Sequence, residues 1–87
     1  MSTLPTHPKL SRRFRLQYEE AQTRWVLLYP EGMVQLNDSA AEILKRCDGV
    51  RSLEAIVAEL EQAFHAQGIQ PQVEALLEEG QHRGWID

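Results

Sequence analysis

The sequence predicts a small α+β domain, winged-helix-like, in which a three-stranded antiparallel sheet is followed by three helices. Three observations predict it. Apolar residues recur with period two in the first third of the chain and at steps of three and four thereafter. The two kinds of element fall in separate blocks, strands and then helices, rather than alternating as in a parallel α/β fold. The chain has 87 residues, enough for one core and no second one.

Met1 to Pro8, with two prolines, two threonines and a serine, reads as a disordered arm over residues 1–8, and the domain as residues 9–87. Phe14, Leu16 and Tyr18 alternate with Arg13, Arg15 and Gln17, the pattern of a half-buried strand with a basic wet face. Arg24 to Tyr29 is apolar on both faces and suits a central strand. Tyr29-Pro30-Glu31-Gly32 reads as a type I turn with a left-handed glycine bulge. Met33 to Leu36 is then a short returning strand.

Asn37-Asp38-Ser39 offers three cap candidates for the first helix, and Ser39-x-x-Glu42 fits a capping box. Ala40, Ile43, Leu44 and Cys47 form its apolar stripe, and Gly49 stops it. Ser52 caps a second helix with the stripe Leu53, Ile56, Val57, Leu60 and Phe64, ended at Gln67-Gly68. Pro71 opens a third helix, carrying Val73, Leu76, Leu77 and Gly80 on one stripe. Arg83-Gly84 closes it, and Trp85-Ile86 folds back as an apolar latch.

Composition narrows the function. The net charge of −4 hides an asymmetry: residues 1–30 hold five basic and two acidic side chains, residues 31–87 four basic and eleven acidic. The second and third helices carry Glu54, Glu59, Glu61, Glu74, Glu78 and Glu79 and no lysine or arginine. Such helices repel phosphate, which argues against a helix-turn-helix regulator of nucleic acid, the reading that the layout alone invites. His7, His65 and His82 share no helical i, i+3 or i, i+4 relation, so no metal pair is expected. The single cysteine, Cys47, lies on an apolar stripe as a small hydrophobe and fits a reducing compartment. No catalytic residue, cofactor or metal is expected. No apolar run approaches the ~20 residues of a membrane span, and Met1 to Lys9 has no signal-peptide core, so a cytoplasmic protein is expected.

What remains is binding. A short strand after a tight hairpin, if it lies at a sheet edge, offers unpaired main-chain groups to another extended segment. The protein's own arm, a second copy and a guest peptide all fit that edge. Val34→Pro is the substitution the sequence suggests for removing a docking donor. A plain interaction or oligomerisation module is a further reading.

The ordered series Trp25-Val26-Leu27-Leu28-Tyr29-Pro30-Glu31-Gly32, Val34-x-Leu36-Asn37, Ala41-x-Ile43-Leu44, Cys47-Asp48-Gly49, Ser52-Leu53-x-x-Ile56-Val57 and Gly84-Trp85-Ile86 resembles the PqqD family over roughly residues 8–87. The resemblance implies a non-catalytic peptide chaperone of pyrroloquinoline quinone biosynthesis. It implies binding of the precursor peptide PqqA by strand addition. It also implies presentation of that peptide to PqqE, a radical S-adenosylmethionine enzyme that joins a Glu and a Tyr of the precursor. Mapped onto this chain, the implied peptide-binding residues are Met33, Val34, Gln35, Leu36 and Asn37 on the strand, with Val73, Leu76 and Leu77 on the third helix. A monomer or a homodimer, the latter by strand exchange, with no nucleic acid and no membrane, completes the expectation.

Overall fold

The computed structural model describes residues 4–87. Three strands, β1 (Arg15–Glu19), β2 (Arg24–Tyr29) and β3 (Gly32–Gln35), precede three helices, α1 (Asp38–Lys45), α2 (Leu53–Ala63) and α3 (Gln70–His82). The sheet is antiparallel with order β1-β2-β3, so β2 is central and both β1 and β3 are edges. The α+β expectation holds, with strands and helices in the two blocks the periodicity indicates.

Pleating sorts the sheet residues onto two faces. The row Leu16–Leu27–Val34 faces the helices, and Leu27 is fully buried among them. The row Gln17–Val26–Gln35 faces away. Val26 is nonetheless fully buried, because polar side chains roof it: Arg24 Nη1 donates to Gln35 Oε1 at 3.2 Å, and Gln35 Nε2 donates to Gln22 Oε1 at 2.7 Å. The central strand is thus covered on both faces, by helices on one and by side-chain amides on the other.

Two details of the hairpins and caps differ from the sequence reading. Tyr29 pairs directly with Gly32, so only Pro30 and Glu31 form the β2–β3 turn, and Gly32 is not among the residues with positive φ. The left-handed bulge expected at Gly32 is absent because the strands pair one residue closer to the turn than that geometry allows. The first helix is capped by Asn37, whose Oδ1 accepts from Ala40 N at 2.7 Å, and Ser39 is already the second residue of the helix. Glu42, assigned by sequence to a capping box, instead holds Lys45 at 2.8 Å and Arg46 at 3.0 Å. Ser52 caps α2 as expected, accepting from Ala55 N at 3.0 Å.

The chain ends are stitched to the helices. Residues 1–3 of the arm read at 1–8 lie outside the described residues. From Leu4 onward the segment runs beside the α1–α2 link: Leu53 N donates to Thr6 O at 2.9 Å and Gly49 N to Pro8 O at 2.9 Å, with Pro8 fully buried. Leu10 N donates to Cys47 O at 3.0 Å, and Ser11 N to Trp85 O at 2.7 Å. The C-terminal latch is real, with Trp85 and Ile86 both buried in the core cluster. Gly80 makes room for it: a Cβ there would lie 3.2 Å from both Ile86 Cγ1 and Trp85 Cε3.

Candidate functional site

The register decides what the β3 edge offers. Leu36 N donates to Trp25 O at 2.9 Å, which marks Trp25 and Leu36 as a hydrogen-bonded pair. Such pairs alternate along an antiparallel ladder. Leu27 with Val34 and Tyr29 with Gly32 are therefore bonded as well, whereas Leu28–Met33 and Val26–Gln35 are the intervening unbonded pairs. The N–H and C=O groups of Met33 and Gln35 point away from β2. Among the described residues no main-chain or side-chain group bonds them. Val34, whose replacement by proline the sequence suggested, points its N–H inward to Leu27. It donates to the sheet, not to a guest.

The side chains named from the sequence divide into three groups. Met33, Gln35 and Asn37 are exposed, Met33 at 42%. Val34 and Leu76 are half-buried and pack on the core. Leu36, Val73 and Leu77 are buried, Leu77 completely. The Asn37 side chain is committed to the α1 cap. Beyond β3, Asp38 and Ser39 at the start of α1 line a cleft of about 570 Å³ together with Gln72 and Val73 at the start of α3. Of the three helix residues named from the sequence, only Val73 lines it.

Sequence reasoning missed the other walls of that cleft. Ile43, Leu60, Phe64 and Ile69 line it. Phe64 was placed on the buried stripe of α2, yet it is 54% exposed because the helix stops at Ala63 and Phe64 is already its cap. His65, at φ 53, follows in the left-handed region and turns the chain away. The signal available beforehand was the aromatic ring standing just before the His65 to Gly68 polar stretch.

Burial, helped by Asp48, pushes the Cys47 thiol up to about 12, so it stays protonated and unreactive at neutral pH. Its Sγ donates to Ile43 O at 3.4 Å. Among the described residues no His, Cys, Asp and Glu cluster could hold a metal ion. Asp48 is held below the usual carboxylate range chiefly by the backbone N–H groups of Arg51 and Val50, each 2.9 Å from Oδ1. No helix among these residues is long and apolar enough to cross a membrane.

Comparisons with known proteins agree with this architecture. The family model described as coenzyme PQQ synthesis protein D (PqqD) matches residues 24–86, which runs from β2 to the latch. A protein of Azotobacter vinelandii named PqqA binding protein is 53% identical over 87 residues, 99% of this chain and 95% of that protein. A protein of Methylococcus capsulatus with the same name is 51% identical over 78 residues, 90% of this chain and 84% of its own. Among solved structures, the solution structure of the PqqD truncation of Methylobacterium extorquens PqqCD superposes with a TM-score of 0.71 at 30% identity, covering 92% of this chain and 87% of that one. That structure is described as a functional, stand-alone recognition element for ribosomally synthesised, post-translationally modified peptides. With the matched span covering β2, β3, every helix and the latch, the chain belongs to the PqqD family.

Proposed function

We propose that this protein binds the precursor peptide PqqA by adding it as a fourth strand beside β3, and presents it to the radical enzyme PqqE without chemistry of its own. The observation that carries the reading is the pair of outward main-chain donors and acceptors at Met33 and Gln35, unbonded among the described residues. An extended guest satisfies both residues at once and places alternate side chains toward the helices. On that side Val34 and Leu76 are half-buried, and the cleft beside Val73 takes the guest's continuation. The two names in the comparisons fit this: the relatives are PqqA binding proteins, and the solved neighbour is a peptide-recognition element.

The scaffold's contribution is effective concentration. Holding the peptide in one extended register raises its concentration at the enzyme without a new reactive group. The acidic helices and the basic first third bias which end of a charged peptide lies where.

The test is a titration of isotope-labelled protein with PqqA. The amides of Met33 and Gln35 shift most, while those of Val34 and Leu36, already bonded to β2, shift less. Met33→Pro removes one outward donor and leaves the β2–β3 ladder whole, since proline is tolerated at an edge with its nitrogen facing solvent. It weakens binding roughly tenfold, equal to the ~1.4 kcal/mol of one charge-free hydrogen bond, whereas Met33→Ala binds nearly as the parent does. Equal affinity in all three proteins would rule out pairing at this edge.

A further inference from the structure

The sheet has a second edge. The same alternation that turns Met33 and Gln35 outward on β3 turns Leu16 and Tyr18 outward on β1, because Arg15, Gln17 and Glu19 pair inward with Leu28, Val26 and Arg24. Among the described residues no group bonds the main chain of Leu16 or Tyr18 on that side. Tyr18 is 42% exposed. The strand carries no proline or lysine and no bulge to block pairing.

The sequence of this edge is complementary to itself. We propose that two copies of the chain join through β1, antiparallel about a two-fold axis at Gln17, into one continuous sheet. In that register Leu16 lies opposite Tyr18 of the second copy, and the two exchange both of their main-chain bonds. Gln17 meets Gln17 of the second copy, and Arg15 stands opposite Glu19 of the second copy, twice by symmetry. Any other antiparallel register that keeps the outward groups bonded moves Arg15 away from Glu19. In this one their Cβ atoms lie about 4.5–5.5 Å apart, the distance at which opposite charges stabilise and like charges destabilise a pair.

Both charges are unengaged within the protomer. Neither Arg15 nor Glu19 takes part in an ion pair or a side-chain hydrogen bond among the described residues. Arg24, directly across β2 from Glu19, turns its guanidinium the other way, to Gln35 and Leu36 O. On the opposite face of the strand, Leu16 and Tyr18 of each copy meet beside Trp25, against which Tyr18 already stands edge-on at 5.4 Å. No strand is exchanged between copies. The contact involves one short strand per copy, so the dimer is weak and concentration-dependent. The β3 edges fall at the two far ends of the joined sheet, so both copies keep their proposed guest edge.

Sedimentation equilibrium on the full chain, from micromolar to near-millimolar concentration, tests this. The parent shifts from 10.0 kDa toward twice that mass as concentration rises. R15E and E19R each place like charges opposite one another at both ends of the contact, lower the association constant roughly tenfold or more and stay monomeric. An equimolar mixture of the two variants pairs opposite charges again and restores the dimer, and so does the double variant R15E/E19R alone. Circular dichroism of each variant confirms the fold, since both side chains lie on the surface. A parent that stays at 10.0 kDa throughout, single variants that associate as the parent does, or a mixture that stays monomeric would each overturn the proposal.

Discussion

Thr23 is a residue held in a conformation its side chain resists. It closes the β1–β2 turn at φ 55, with its N–H on Glu20 O at 3.2 Å. A β-branched side chain in the left-handed region costs on the order of 1–2 kcal/mol relative to glycine. Thr23 is exposed, and its hydroxyl reaches only Glu20 O at 3.5 Å, so little packing is lost on its removal. Thr23→Gly stabilises the protein by about 0.5–1 kcal/mol after glycine's extra unfolded-state entropy is counted. The measurement is the urea midpoint at unchanged slope; a lower midpoint means the turn is not strained at Thr23. Gly80 is the opposite case, where glycine is required for space. Gly80→Leu drives a side chain into Trp85 and Ile86, 3.2 Å from the position of its own Cβ. The cost is about 1–3 kcal/mol of overpacking, offset in part by better helix propensity. Trp85 fluorescence reports it, moving to the red as the latch lifts; an unshifted spectrum with full stability means the latch can step aside.

At the level of elements, the α1 cap separates what the sequence says from what the fold does. Asn37→Ala removes the acceptor of the Ala40 N–H, 2.7 Å away, and costs about 1 kcal/mol. Ser39→Ala is neutral or slightly stabilising, because Ser39 is exposed inside the helix, where alanine is the better former. Thermal melts of the two variants decide between the caps; the reverse order would reinstate the capping box. The strands and helices themselves were legible. Arg24–Tyr29 and the starts of α2 and α3 follow from period and caps alone and coincide with the observed ones to within a residue, whereas α2 ends at Ala63 rather than at the expected Gln67. What was not legible depends on partners distant in sequence. The cap choice depends on where β3 stops, which the pairing of Leu36 N with Trp25 O fixes. The docking donors depend on ladder phase: a period-two pattern says which side chains share a face, but not which amides point outward. Hence Val34 looked like a donor to a guest, while Met33 and Gln35 are the residues with outward groups. The exposure of Phe64 depends on α2 ending at Ala63, four residues before the Gln67-Gly68 stop that the sequence suggests.

At the scale of the whole molecule, stability against acid rests on carboxylates that tie the helical half together. Glu42 sits between Lys45 and Arg46; Glu59 takes Arg51 at 2.7 Å and Arg46 at 3.4 Å; Asp48 takes Arg51 at 2.6 Å and the backbone N–H groups of its own turn. This links the end of α1, the α1–α2 connection and the middle of α2 in one chain of charges. Glu79 is paired with Arg83 at the end of α3. The folded state lowers the affinity of three of these groups for a proton: Glu42 chiefly through Lys45, Asp48 chiefly through the Arg51 N–H, and Glu79 chiefly through Arg83. A carboxylate depressed in the folded state stabilises it fully above its unfolded value, and that stabilisation is lost as pH falls through the folded value. The unfolded values are 4.5 for Glu42 and Glu79 and 3.8 for Asp48. Stability is therefore flat above the carboxylate range and declines as pH falls into and through it. The raised Arg51 adds nothing at these pH values, since it is charged in both states. All these pairs are partly exposed, so salt screens them and the decline is shallow. Urea midpoints measured from neutral pH down through the carboxylate range give the slope. Glu42→Gln should flatten it, because Glu42 engages two cations at once, with side-chain exposure of 26%. Identical slopes in the parent and in Glu42→Gln would mean that the network leaves the acid stability of the helices to the other carboxylates.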